Sequence, residues 1–325
     1  MAALRISDVQ SEEVLAGLPS ATLAPRPLAR ATELLRGWSA QVMLGAAVMT
    51  LFLLVALIGP AIAPYAVHAQ VGHVYASPSP SHPLGLDNGG YDVLSNLLVG
   101  ARTSMIVGLC AAVVSILIGG TIGVIAGYVG GRTDGVLMRI TDYFLVIPDI
   151  PLMIISAAVF GRNTRNIVVI IGLIYWTTAA RLIRAQVRSL RQRVYVRRAE
   201  LLGASGRRVL WTHIVPQVTP LLIANTVLMI ANAIFAETYI AFLGLGNPTT
   251  PSWGAMIQSS LAGGAIFYHA WWAVLPPGIA VTVVVLAATL VGQGLEDSLN
   301  PRLRAGHLAV RRFRLRPLHG ELERE

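Results

Sequence analysis

At 325 residues, 54% of them hydrophobic and only 13% charged, this chain has too few polar side chains to coat a water-soluble globule, and its composition is that of a membrane protein. A formal net charge of +9 would suit a nucleic-acid binder, but all 25 cations are arginine and they fall in blocks along the chain instead of over one surface. A sequence without lysine also cannot contain the Gly-Lys-Ser/Thr loop with which nucleotide hydrolases hold phosphate.

Residues 1–36 mix Pro, Arg, Ser and Glu without period and read as a polar tail. A first apolar span follows at 39–63, within a segment 37–64; it is too long and too far from the N-terminus for a cleaved signal and reads as a permanent crossing. Segment 65–102 is rich in Pro, Ser, Gly and His, and its stretch 92–98 is predicted to be a short helix lying at the interface. Here His68, His73 and His82 are scattered without metal-ligand spacing and are expected to be surface residues of a flexible loop.

The second span, 103–128, carries the single cysteine, Cys110, so intramolecular disulfides are excluded. Its Gly108, Gly119, Gly120, Gly123 and Gly127 would let a neighbouring helix approach closely. A tight turn through Gly130 and Gly131 leads to the third span, 136–160, where Asp149 stands between Pro148 and Pro151. An ionised carboxylate at that depth costs at least ~2.5 kcal/mol in lipid, so Asp149 is expected to face the bundle interior or a water-filled path. The fourth span, 166–183, is the shortest apolar run; the fifth, 215–243, contains Asn225 and Asn232 on one face and Glu237 near its outer end, all candidates to line a path. Loop 245–270 has no arginine, and the sixth span, 271–295, precedes a basic tail, 296–325.

With the N-terminus inside, 22 of the 25 arginines fall on inner segments, and only Arg102, Arg162 and Arg165 lie outside. This positive-inside bias predicts that both termini are cytoplasmic. Nine of the inner arginines fall in one loop, 181–213. Its part 195–216, YVRRAELLGASGRRVLWTHIVP, reads as a helix, a break at Gly203 and a second helix leading to Pro216 and Pro220.

That segment resembles the EAA loop of ABC importer permeases, with Ala199, Gly203, Ala204, Ile214 and Pro216 in place and Arg197 where the family has glutamate. Block 82–105, HPLGLDNGGYDVLSNLLVGARTSM, and block 236–254, AETYIAFLGLGNPTTPSWG, are similar to the C-type permeases of dipeptide and oligopeptide importers, and 297–303 fits their tail. The resemblance covers about 82–303 and implies an all-α, six-helix type I importer fold with a five-helix core, 103–295, in a bacterial inner membrane. It further implies a non-enzymatic subunit that pairs with a homologous permease and with two ATPase subunits, which would carry ATP and Mg while this chain binds no cofactor. Tyr195, Arg197, Arg198, Ala199, Glu200, Gly203, Ala204, Ser205 and Arg207 would couple to the ATPases, and an outer substrate-binding protein would dock near Asp87, Asp92 and Trp253. The cargo expected is a di- or oligopeptide; haem, a nickel chelate or another small solute is the alternative.

Two other classes fit less well. Gly203-Ala-Ser-Gly206 matches the pattern of an intramembrane serine protease, but Ser205 falls in the arginine-rich loop and the sixth span contains no histidine. An ion-coupled transporter would place carboxylates in the broken helices of two related repeats, and no internal repeat is visible.

Overall fold

The structure, a computed structural model, describes residues 40–299, so the predicted N-terminal tail and nearly all of the C-terminal tail lie outside the described residues. The membrane-spanning part is helical throughout. Helix α1 runs Ala40–Ile62, α2 Val93–Val129, α3 Gly131–Val146, α4 Asp149–Phe160, α5 Thr164–Arg191, α6 Val194–Leu201 and α7 Gly206–Val209. A π-helical turn, Leu210–Ile214, joins α7 to α8, Val215–Ile240, and a second, Ala241–Leu245, ends α8; α9, Trp253–Ala262, and α10, Trp271–Leu299, complete the described chain. Extended pairing is confined, among the described residues, to two isolated bridges, Gln70 with Tyr91 and Leu86 with Asp92.

Among the described residues five helical stretches are individually long and apolar enough to cross a bilayer, and the bent pair α3–α4, counted as one span, makes a sixth. The third span, expected over 136–160, is therefore two helices set at an angle. It breaks by 85° between Val146 and Asp149, because Pro148 has no N–H to continue the ladder and pushes Ile147 to extended geometry, ψ 125°. The predicted interfacial helix 92–98 is likewise not separate: α2 is continuous from Val93 through the second span. Asp92 starts it, its Oδ2 accepting from Ser95 N at 2.8 Å. The fourth span also runs on, so that the first eleven residues of the predicted loop 181–213 are helix.

Helix α2 is central. Against α5 it presents Gly119, Gly123 and Gly127 at intervals of one turn, and a methyl group on Gly123 would sit 2.6 Å from the carbonyl oxygen of Ala180. In lipid, where apolar side chains gain nothing by leaving their surroundings, this kind of backbone approach holds helices together. Helix α8 packs on both α2 and α10, and α1 closes the bundle against α10 and α2. Gly130 and Gly131, at φ +71° and +57°, turn α2 directly into α3.

Candidate functional site

The arginine-rich end of the bundle is built as an elbow. On α5, Arg181, Arg184, Arg188 and Arg191 recur at spacings of three and four and share a face. Arg181 Nη2 donates to Asp142 Oδ1 at 2.5 Å on the surface, a pair of little weight. Arg184 grips the buried Asp134 of α3 with two nitrogens, and Arg188 Nη1 stands 3.6 Å from the same carboxylate.

After a turn at Gln192 and Arg193 the chain enters α6, and what stops that helix explains the predicted break. Ala204 N donates to Ala199 O and Gly203 N to Glu200 O, both at 3.0 Å, with Gly203 at φ +83°. This is the Schellman closure, which needs a left-handed residue at one position and apolar residues where its ends meet. Ala199 and Ala204 are those ends and pack on the elbow core. A Cβ on Gly203 would meet nothing within 4 Å, so glycine is required there by conformation alone. Ser205 caps α7 by accepting from Arg208 N at 3.4 Å. His213 lies against the Tyr195 ring instead.

Val196 and Val209, fully buried, join Ile183, Val187 and Leu190 of α5 with Ile214 and Val218, and Val124 and Tyr128 of α2 pack on them. Tyr128 OH donates to Gly206 O and Tyr195 OH to Gln217 Oε1, each at 2.8 Å. The elbow is thus seated on α2, α5 and α8 and cannot shift without moving them. At its tip Leu201 and Leu202 are 87% and 88% exposed, and Arg197, Arg198, Glu200 and Arg207, close to them in the chain, are exposed as well.

The opposite end is a folded cap. Asp87, Asp92 and Trp253 are all buried in it, so they do not offer docking surface as expected; they hold the cap together. Asp87 Oδ1 accepts from Gly89 N at 2.8 Å and Tyr91 N at 3.0 Å, while burial pushes its carboxyl above the usual range against the pull of those bonds. Asp92 Oδ1 pairs with His82 Nδ1 at 3.0 Å, so His82 is not a bare surface residue. Trp253 Nε1 donates to Leu97 O at 3.2 Å, and Ser104 Oγ links Trp253 N, at 3.3 Å, to the buried Glu237, at 3.1 Å. Glu237 therefore ties α8 to α2 and the cap.

Of the other path candidates, Asn225 is buried with its Oδ1 unpaired, while Asn232 is exposed. The two share a helix face, but α8 is covered at one level and open at the other. Asp149 is exposed at the start of α4, one oxygen accepting from Ile150 N at 3.0 Å. It therefore does not point into the interior of this chain's own bundle.

The family of binding-protein-dependent transport system inner membrane components matches residues 119–305, which include α5, the elbow and α8. The oligopeptide transport system permease protein OppC of Bacillus subtilis is 34% identical over 264 residues, 81% of this chain and 86% of that protein. The chain belongs to this permease family. The dipeptide transport system permease protein DppC of the same organism is 33% identical over 264 residues, 81% of this chain and 82% of that one. OppC of Mycobacterium bovis is 37% identical over 238 residues, 72% and 80% of the two chains. Membership fits both the helical fold and the apolar composition. The exposure of Leu201 and Leu202 is not legible in the sequence, because an apolar pair at a helix end ordinarily reads as core; the closure at Gly203 ends the helix where they stand.

Proposed function

We propose that this permease is one of two homologous membrane subunits of an ATP-driven peptide importer, with its elbow in the cytoplasm and the cap on the outer side. Three observations support the reading: relatives named as oligopeptide and dipeptide permeases, the arginine asymmetry, and a rigid elbow with an apolar tip. The last carries it. Two ATPase subunits would grip Leu201, Leu202 and the polar rim formed by Tyr195, Arg197, Arg198, Glu200 and Arg207, while Ala199, Gly203, Ala204 and Ser205 keep the tip in shape. ATP binding would draw the ATPases together, and the elbow would pass that motion through its shared core to α2, α5 and α8. The elbow transmits force and performs no chemistry.

Within this scheme Asp149, in the broken span, meets the ammonium group of the cargo. Its carboxylate is exposed on the single chain, and lipid is an unfavourable neighbour for it; a water-filled path between two permeases removes that cost. Asn232 lies on the open part of α8 and lines the same path. Asp149→Asn is expected to lower uptake of a dipeptide with a free amino group about tenfold, the worth of a charge-assisted hydrogen bond, and to leave uptake of its N-acetylated form unchanged. Equal effects on the two cargoes would remove Asp149 from recognition.

The shape of the tip has its own test. Gly203→Val places a β-branched residue at positive φ, which costs on the order of 1–2 kcal/mol and opens the closure; ATP-dependent uptake should fall with the amount of protein in the membrane unchanged. Gly203→Asn, which tolerates the left-handed region, should restore most of it. If valine and asparagine gave the same uptake, the closure would have no part in coupling.

A further inference from the structure

Beside the elbow, between its α6 and the turn joining α2 to α3, lies a cleft of about 420 Å³. Its walls carry three guanidinium groups, those of Arg188, Arg191 and Arg197, and the bare backbone of Gly127, Gly130 and Gly131. Asp134 and Glu200 also line it, but Asp134 is already gripped by Arg184 and approached by Arg188. Among the lining residues that leaves Glu200 as the carboxylate available to offset the arginines. Arg191 donates to Tyr128 O at 2.6 Å and lies over the Tyr128 ring, which fixes it in place. Arg197 is exposed, and the Arg188 side chain is more than half exposed. Fixed and exposed guanidinium groups lining a glycine-walled hollow are suited to a multi-oxygen anion such as phosphate, two of whose oxygens one guanidinium can bind side by side.

Depth narrows the ligand. Counted from Thr164 at the far end of α5, Arg188 lies about 36 Å along the helix, beyond a hydrocarbon core of about 30 Å and within the headgroup layer. We infer that this cleft binds a phosphate-bearing anion, the headgroup of an acidic phospholipid being its natural source at that level. Basic hollows between helices at this level hold acidic headgroups elsewhere. Resting on the membrane placement proposed above, and not on peptide transport, the inference gives the elbow a lipid-dependent neighbour: an anion bridging Arg197 of α6 to Arg188 and Arg191 of α5 would brace the elbow in position.

The test uses the full chain purified in detergent and titrated, by native mass spectrometry, with phosphatidylglycerol, with phosphatidylcholine, or with inorganic phosphate and no lipid. Phosphatidylglycerol is expected to bind in preference to phosphatidylcholine. Arg188→Gln with Arg197→Gln should weaken it about thirtyfold, and the same loss of charge in Arg139→Gln with Arg208→Gln, outside the cleft, should not. Arg197→Gln alone, on an exposed side chain, should give a partial loss without risk to folding. Inorganic phosphate binding with the same dependence on Arg188 and Arg197 would support the anion cleft and assign it to a soluble ligand. Equal binding of the two lipids without phosphate binding, or equal loss in the two double variants, would overturn it. Peptide uptake could fail in any of these variants without affecting the result.

Discussion

Replacing Leu201 and Leu202 together by glutamate is expected to abolish peptide uptake while the chain still inserts and folds. Neither side chain contributes to the elbow core, since both are almost wholly exposed. Apolar groups held in water at the end of a rigid arm mark a contact surface. Burying one leucine contributes about 2 kcal/mol, so the pair would supply about 4 kcal/mol of docking, near a thousandfold in affinity. Glutamate removes this and adds a charge that must be desolvated. Uptake by vesicles should fall at least about a hundredfold, and affinity-purified permease should lose its ATPase subunits. Normal retention of those subunits would show that the grip lies elsewhere.

A second large effect is expected inside the bundle, at Gly123. A side chain there would stand 2.6 Å from Ala180 O, 2.9 Å from Ile183 Cβ and 3.0 Å from Arg184 N. Two of these three atoms belong to the backbone, which cannot swing aside as a side-chain end can. Valine would force α2 from α5 along the whole glycine stripe and split the core through which Val124 and Tyr128 meet Ile183 and Val187. Overpacking by small increments already costs about 1–3 kcal/mol, and this substitution belongs at or above the top of that range. The thermal midpoint of the purified Gly123→Val chain should drop sharply, and its amount in the membrane with it. Gly135→Ala is the control: a methyl group there meets nothing within 4 Å, and alanine favours the α3 helix. Comparable losses in both variants would mean that the stripe is not where the helices are held.

The spans are legible in the sequence because hydropathy acts over a whole helix: each predicted span falls on a membrane-length helix or on the bent pair. What escapes such a reading are features decided by one or two residues in three dimensions. Pro148 and Pro151 are plain to see, yet a proline can kink a helix or end it, and the 85° break depends on what packs around α4. The start of α2 at Asp92 carries a readable cap, Asp-x-x-Ser, but the polar residues Asn96 and Arg102 disguise its continuity with the apolar run. Asp87, Asp92 and Trp253 suggest a docking surface because acidic and aromatic residues in an outer loop usually are exposed. Their burial follows from long-range contacts, such as that of Trp253 Nε1 with Leu97 O, which no local pattern announces. The elbow is the reverse case. Its spacing of Ala199, Gly203 and Ala204 is the local chemistry of a helix stop, so short-range reading is enough to find it, though not to see which leucines it exposes.

If the tip of this elbow lies in the cytoplasm within a groove of the ATPase, a single cysteine placed there reports it most directly: Leu202→Cys in a chain whose exposed Cys110 has been changed to serine. In membranes containing the assembled transporter, a short thiol cross-linker should join this cysteine to an ATPase subunit, and a membrane-impermeant maleimide should label it only from the inner face once the ATPases are stripped away. Labelling from the outer face, or absence of any cross-link to the ATPase in a transporter that still imports peptide, would contradict the account.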